Sequence, residues 1–91
     1  MKIYKVLNRA NHHRITLRQL MLLINLCDNE LTPTEITKSL DISGAAVTLL
    51  VDKLEQLGYV ERSHTRSDRR KILINITPTG RAICDSIIKA I

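Results

Sequence analysis

The chain has 91 residues, 44% of them hydrophobic, and a formal charge of +5; that length holds one domain with a modest core, and that composition excludes wholesale disorder. With no Trp or Phe and only Tyr4 and Tyr59, it lacks the aromatic platforms on which single-stranded nucleic acids stack. Its longest apolar run, Leu20 to Ile24, is far short of a membrane span, and MKIYKVLN has neither a long apolar segment nor a small-residue cleavage site, so neither membrane contact nor a signal peptide is expected.

In chain order, Ile3, Val6, Leu7 and Ala10 form a short helix-like stripe, broken by Asn11, His12, His13 and Arg14. Thr16 as N-cap with Gln19 three residues later predicts a capping box. The helix that follows places Leu17, Leu20, Met21, Ile24 and Cys27 at helical spacing and ends near Asp28 and Asn29. The stretch LTPTEI then supplies Thr32 as N-cap, Pro33 at the first helical position and Glu35 at the third. Its helix is short, roughly 33 to 40, with Ile36 and Leu40 on the apolar face. After a tight turn at Asp41 and Ile42, Ser43 caps a helix lined by Val47, Leu50, Val51, Leu54 and Leu57, with Gly58 as its stop.

Tyr59 to Ser63 reads as a strand, His64 to Lys71 as a polar, basic loop, and Ile72, Ile74 and Ile76 alternate with Leu73 and Asn75 in the period of a half-buried strand. Thr77 and Pro78 repeat the N-cap and first-position pairing before a last helix carrying Ile83, Cys84, Ile87, Ile88 and Ile91. The predicted fold is mainly α with a small β-hairpin, a winged helix-turn-helix. The expected organisation is an N-terminal arm or short helix over 1–15, a winged helix-turn-helix over 16–77 and a C-terminal helix over 78–91.

The basic charge is concentrated. Residues 62 to 71 hold Arg62, Arg66, Arg69, Arg70 and Lys71 against one acid, Asp68, and residues 1 to 14 hold Lys2, Lys5, Arg9 and Arg14 with no acid. Five cations in ten residues repel one another unless something anionic compensates them, and a hairpin tip reaches a minor groove or flanking phosphates. Asp68 is positioned to pair with Arg70 across the loop. On a wheel, the outer side of the helix after Ser43 carries Gly44, Ala45, Thr48, Leu49, Asp52 and Lys53. Small side chains there let a backbone sit deep in a major groove, where Thr48 offers a hydroxyl and Ala45 and Leu49 meet thymine methyls. The same face also reads as the solvated side of an ordinary amphipathic helix. No Arg, Asn or Gln stands on its groove-facing turns, which leaves that reading open for the helix alone; the basic loop shifts the balance toward DNA.

Two segments, SGAAVTLLVDKLEQLGYVER over 43–62 and DRRKILINITPTG over 68–80, make Leu31 to Gly80 resemble the DNA-binding lobe of MarR-type regulators, the multiple-antibiotic-resistance repressor family. The resemblance implies a cytoplasmic transcriptional regulator, a repressor, that binds a pseudo-palindromic double-stranded operator as a homodimer. It places Ser43, Ala45, Thr48 and Leu49 toward the major groove and Thr34 and Lys38 near the backbone. It makes Arg70 the wing arginine organised by Asp68, with Arg66 and Arg69 near the tip. Leu49 departs from the arginine common in the family, which shifts binding toward the wing. Relatives have longer terminal helices that build the dimer and a ligand cleft; here 14 residues precede Ile15 and one short helix follows Thr77. Dimer contact is therefore expected from Ile83, Ile87, Ile88 and Ile91, joined by Ile3, Val6 and Leu7. The alternative is that both stripes cover the domain's own core. No small-molecule effector is assigned.

Neighbouring His12 and His13 diverge, and nothing is spaced to join them and His64, so no metal is expected. Cys27 reads as a core residue; Cys84 reads as a buried or interface thiol, or as a cross-link between copies under oxidation. Two cysteines are too few for a disulfide framework and point to a reduced, cytosolic chain. Without a Gly-rich phosphate loop, clustered carboxylates or a nucleophile with its base, no enzyme and no cofactor are expected. The rival classes are a protein-interaction module, which has no use for a basic wing, and the winged-helix part of a replication initiator, which binds direct rather than inverted repeats.

Overall fold

The computed structural model describes residues 3–65, 67–68 and 70–89. The elements run α1 (Ile3–His12), α2 (Leu17–Asp28), α3 (Pro33–Leu40), α4 (Gly44–Gln56), β1 (Val60–His64), β2 (Ile72–Ile76) and α5 (Pro78–Ile88). Each of the four predicted N-caps is in place. Thr16 and Thr32 each close a capping box, with Gln19 and Glu35 respectively, and the Ser43 and Thr77 hydroxyls accept from the Ala46 and Gly80 N–H groups. The α3–α4 turn is tight because Asp41 adopts the left-handed conformation (φ 55°, ψ 52°) while its N–H returns to the Thr37 carbonyl. Asp tolerates that region better than most residues. Gly58, at φ 78°, ends the α4 segment where an L side chain is strained.

β1 and β2 pair antiparallel from Val60↔Ile76 to His64↔Ile72. A third edge joins them: Leu31, just before α3, exchanges both backbone hydrogen bonds with Ile74 at 3.2 and 2.7 Å. The hairpin is thereby fastened to the start of α3. The first strand begins at Val60 rather than Tyr59 and runs to His64, since the Tyr59 N–H is taken by the Leu54 carbonyl.

Two clusters form the core. One gathers Leu22, Leu23, Leu26, Ile36, Val47, Val51, Leu54, Val60, Ile74 and Cys84, among others; the other gathers Val6, Ala10, Ile15, Leu20 and Ile87. Each fully buried Leu or Ile contributes about 2 kcal/mol by leaving water. The predicted stripe of α2 needs correction. Gln19, Leu20, Leu22, Leu23 and Leu26 are buried, whereas Leu17, Met21 and Ile24 are at least 40% exposed. Leu57 is likewise exposed, because α4 ends before it.

Ile87 is wholly buried against α1, with Val6 and Ala10, so neither it nor Val6 is a surface for a second copy. The α5 stripe serves the chain's own core, and Ile83 and Ile88 are half-buried beside it. Ile91 lies outside the described residues. Cys84 also turns inward, fully buried, which removes it as a cross-link between copies. No helix among the described residues is long and apolar enough to cross a membrane.

Candidate nucleic-acid interface

The α4 cap fixes the first part of the site. Ser43 Oγ accepts from Ala46 N–H at 3.1 Å, and the core residues Val47, Leu50, Val51 and Leu54 turn the opposite side of α4 outward. Gly44, Ala45, Thr48, Leu49, Asp52 and Lys53 are all exposed, Leu49 by 71%. Thr48 Oγ1 donates to the Gly44 carbonyl at 3.1 Å, which occupies its proton and leaves its acceptor lone pairs outward. Thr34 and Lys38 are exposed on α3.

The second part is the wing. Thr65 Oγ1 donates to the Asp68 carbonyl at 2.7 Å and accepts from the Asp68 N–H at 3.0 Å. The Lys71 N–H donates to the Asp68 carbonyl at 3.0 Å. Asp68 Oδ1 in turn accepts from the Arg70 N–H at 2.9 Å and lies 3.5 Å from Arg70 Nε. Arg70 has a held backbone and a side chain 94% exposed. Thr65, which the sequence pattern does not single out, is the hydroxyl that staples this loop. Arg66 and Arg69 lie outside the described residues.

Arg70 and Lys71 meet the N-terminus of α3. A recess of about 550 Å³ is lined by Thr32, Pro33, Thr34 and Glu35 on one side and Arg70, Lys71 and Ile72 on the other. Hydrogen bonds from the Thr32 N–H and hydroxyl region hold the Glu35 carboxyl below its usual range, with Lys38 and Lys71 adding to the effect. It stays ionised into acid, balancing part of the cationic field at the recess. The outer face of α4 borders a different recess, in which Ala46, Leu49 and Lys53 meet Arg18 of α2. Arg18 is thus a cation beside the α4 face that periodicity alone does not reveal, since only the packing of α2 on α4 brings it there.

Arg62 does not belong with the wing's outward cations. Its Nη2 lies 2.6 Å from Asp52 Oδ1 and its Nη1 2.5 Å from Glu55 Oε1, so β1 is braced to α4 and both acids of that face are neutralised. All three side chains are 30–56% exposed, which limits the brace to about 1 kcal/mol. Arg62→Ala is therefore expected to lower unfolding free energy by about 1 kcal/mol in a denaturant titration, a small loss that marks it as a brace.

Against known proteins, residues 14–71 match the family model described as MarR family. Over 63 residues the chain is 43% identical to the HTH-type transcriptional repressor YetL of Bacillus subtilis, covering 69% of this chain and 38% of the relative. It is 36% identical over 72 residues to the multiple antibiotic resistance protein MarR of Salmonella typhimurium, covering 78% and 50%. Among solved structures, a cysteine-to-serine mutant of MarR from Escherichia coli complexed with operator DNA matches with a TM-score of 0.84 at 30% identity. That match covers 94% of this chain and 62% of the other. The chain thus spans half the length or less of these two curated relatives.

Proposed function

This chain belongs to the MarR family, and from that premise we propose that it is a sequence-specific double-stranded DNA-binding transcriptional repressor. The α4 helix enters the major groove through Ser43, Gly44, Ala45, Thr48, Leu49 and Lys53. The α3 helix approaches the backbone with Thr34 and Lys38, and the wing places Arg70, with Arg66 and Arg69, on the minor groove and phosphates. The observation that carries this reading is the recess where the wing's Arg70 and Lys71 converge on the N-terminus of α3. There the Arg70 and Lys71 cations outnumber the one carboxylate of Glu35, which caps the helix end, so the recess keeps a net positive charge that suits phosphate. The likeness of fold to a MarR structure complexed with operator DNA supports a DNA-binding role.

In this reading residues 16–77 form the DNA-binding unit, and the flanking segments bring two copies together to match a pseudo-palindromic site. Among the described residues of those flanking segments, the exposed Ile3, Tyr4 and Leu7 of α1 and the half-buried Ile83 and Ile88 of α5 are apolar side chains available for that contact. The protein acts where its DNA is, in the cytoplasm, as a regulator rather than an enzyme.

The test is selection of bound fragments from a randomised duplex pool at low salt. The expected product is an inverted pair of half-sites spaced near one helical turn; direct repeats point instead to an initiator-type arrangement, and no binding at low salt refutes the proposal. Thr48→Ala should change the selected sequence more than the salt dependence, because base-edge contacts specify while phosphate contacts set affinity.

A further inference from the structure

The chain's two cysteines lie 57 residues apart in sequence, yet their Sγ atoms are 3.6 Å apart. Cys27 is in the last turn of α2 and Cys84 is in α5. Cys84 is fully buried in the main core cluster, and Cys27 is half-buried against it. The two residues differ in access. Cys27 lines a polar recess of about 220 Å³ with Asp28, Glu30, Asn75 and Arg81, whereas Cys84 does not reach it. An independent contact holds the two helices together here: Arg81 Nη2 donates to the Cys27 carbonyl at 3.3 Å. Burial, reinforced by the neighbouring Cys27 thiol, raises the Cys84 thiol well above the ordinary range. Nothing in the DNA-binding reading uses either sulfur.

We propose that Cys27 and Cys84 form an oxidisable dithiol site that takes a small disulfide as its reaction partner and closes to an intramolecular bond fastening α2 to α5. Closure brings the sulfurs from contact distance to a bond of about 2.05 Å, a movement of the order of 1.5 Å. The order of steps follows from access. Cys27 loses its proton to solvent, and its thiolate attacks one sulfur of R–S–S–R, forming a mixed disulfide and expelling the first R–S⁻. Cys84 then gives up its proton as its sulfur attacks Cys27 Sγ, expelling the second R–S⁻. The chain's two thiols are oxidised, one external disulfide is reduced, and both protons end on the released thiols. The second step is the slower of the two because the Cys84 thiol resists ionisation, so the mixed disulfide on Cys27 builds up before it resolves to the Cys27–Cys84 bond.

The closed loop contains α3, α4 and the wing hairpin. Tying its ends restricts the unfolded chain and raises the thermal midpoint, on the order of 10 °C for a domain of this size. The native arrangement changes little, because α2 and α5 already touch.

The experiment treats the fully reduced 91-residue chain with bis(2-hydroxyethyl) disulfide and follows intact mass and thermal midpoint. The expected product is two hydrogens lighter and runs as a single chain on a non-reducing gel. Its digest yields one linked peptide pair containing Cys27 and Cys84, and its higher midpoint reverts with a dithiol reductant. Cys27→Ser should abolish both the mass loss and the stabilisation. A mixed disulfide still on Cys27 when the reaction has run to completion, no reaction at either sulfur, or a bond joining two chains would each overturn the proposal. The unsubstituted chain decides the matter, whatever the fate of a variant, and no readout depends on DNA.

Discussion

Gly80→Ala should destabilise the protein by about 3 kcal/mol or more, although a glycine inside a helix ordinarily costs stability relative to alanine. Gly80 is the third residue of α5, buried, with its N–H on Thr77 Oγ1 at 3.0 Å. A Cβ there would collide with the Tyr59 carbonyl oxygen, and would stand 2.9 Å from the carbonyl carbon and 3.0 Å from Ile76 Cγ1. That carbonyl has nowhere to go. It accepts the Thr77 N–H at 3.0 Å, the Tyr59 N–H is held by Leu54, and Val60 pairs with Ile76 immediately after. The hydroxyl of Thr77 adds a further tie by donating to the Gly58 carbonyl at 2.6 Å. Thermal denaturation should show the midpoint falling by roughly 12 °C or more, at about 4 °C or more per kcal/mol. Gly44→Ala is the contrast: nothing lies within 4 Å of its added Cβ and its φ is ordinary, so without DNA it should be neutral or mildly stabilising. If Gly80→Ala shares that outcome, the close approach of Tyr59 to α5 is wrong.

Gly80 also shows where local pattern stops being informative. Helix starts are legible because their chemistry is local: a hydroxyl caps the N–H three residues on, and a proline fits at the first position, as at Thr32, Pro33 and Glu35. The tight turn at Asp41 and Ile42 and the strand period of Ile72, Ile74 and Ile76 are legible for the same reason. The buried face of α2 is not. Its sequence LRQLMLLINLCD is apolar around most of its circumference, so several stripes fit equally well, and only packing selects Leu20, Leu22, Leu23 and Leu26. Arg62 is one more cation in a basic stretch until β1 lies beside α4 and brings it to Asp52 and Glu55. The Leu31–Ile74 bridge, Arg18 beside Lys53, and the contact of Cys27 with Cys84 depend in the same way on elements far apart in the chain. The candidate interface is legible in its residue types and outward faces, while its pairing of wing with α3 is a tertiary fact.

Arg70→Glu is expected to weaken DNA binding strongly while leaving the fold intact. The side chain is 94% exposed, so its replacement removes almost no packing, whereas under the proposed function the reversed charge repels the phosphates. Binding measured across a salt series should lose about 0.9 from its log–log slope for each phosphate contact removed. Adding Lys71→Glu should deepen the loss, because both residues line the same recess beside α3. An unchanged slope in the double variant would remove that recess from the interface. Asp68 permits a sharper distinction. Asp68→Ala makes the loop one unit more positive, and charge alone therefore favours tighter binding. It also releases the Arg70 N–H and the guanidinium held near Asp68 Oδ1. If the carboxylate orients Arg70, affinity falls despite the gain in positive charge; if binding tightens, Asp68 acts only as a charge that tempers the wing.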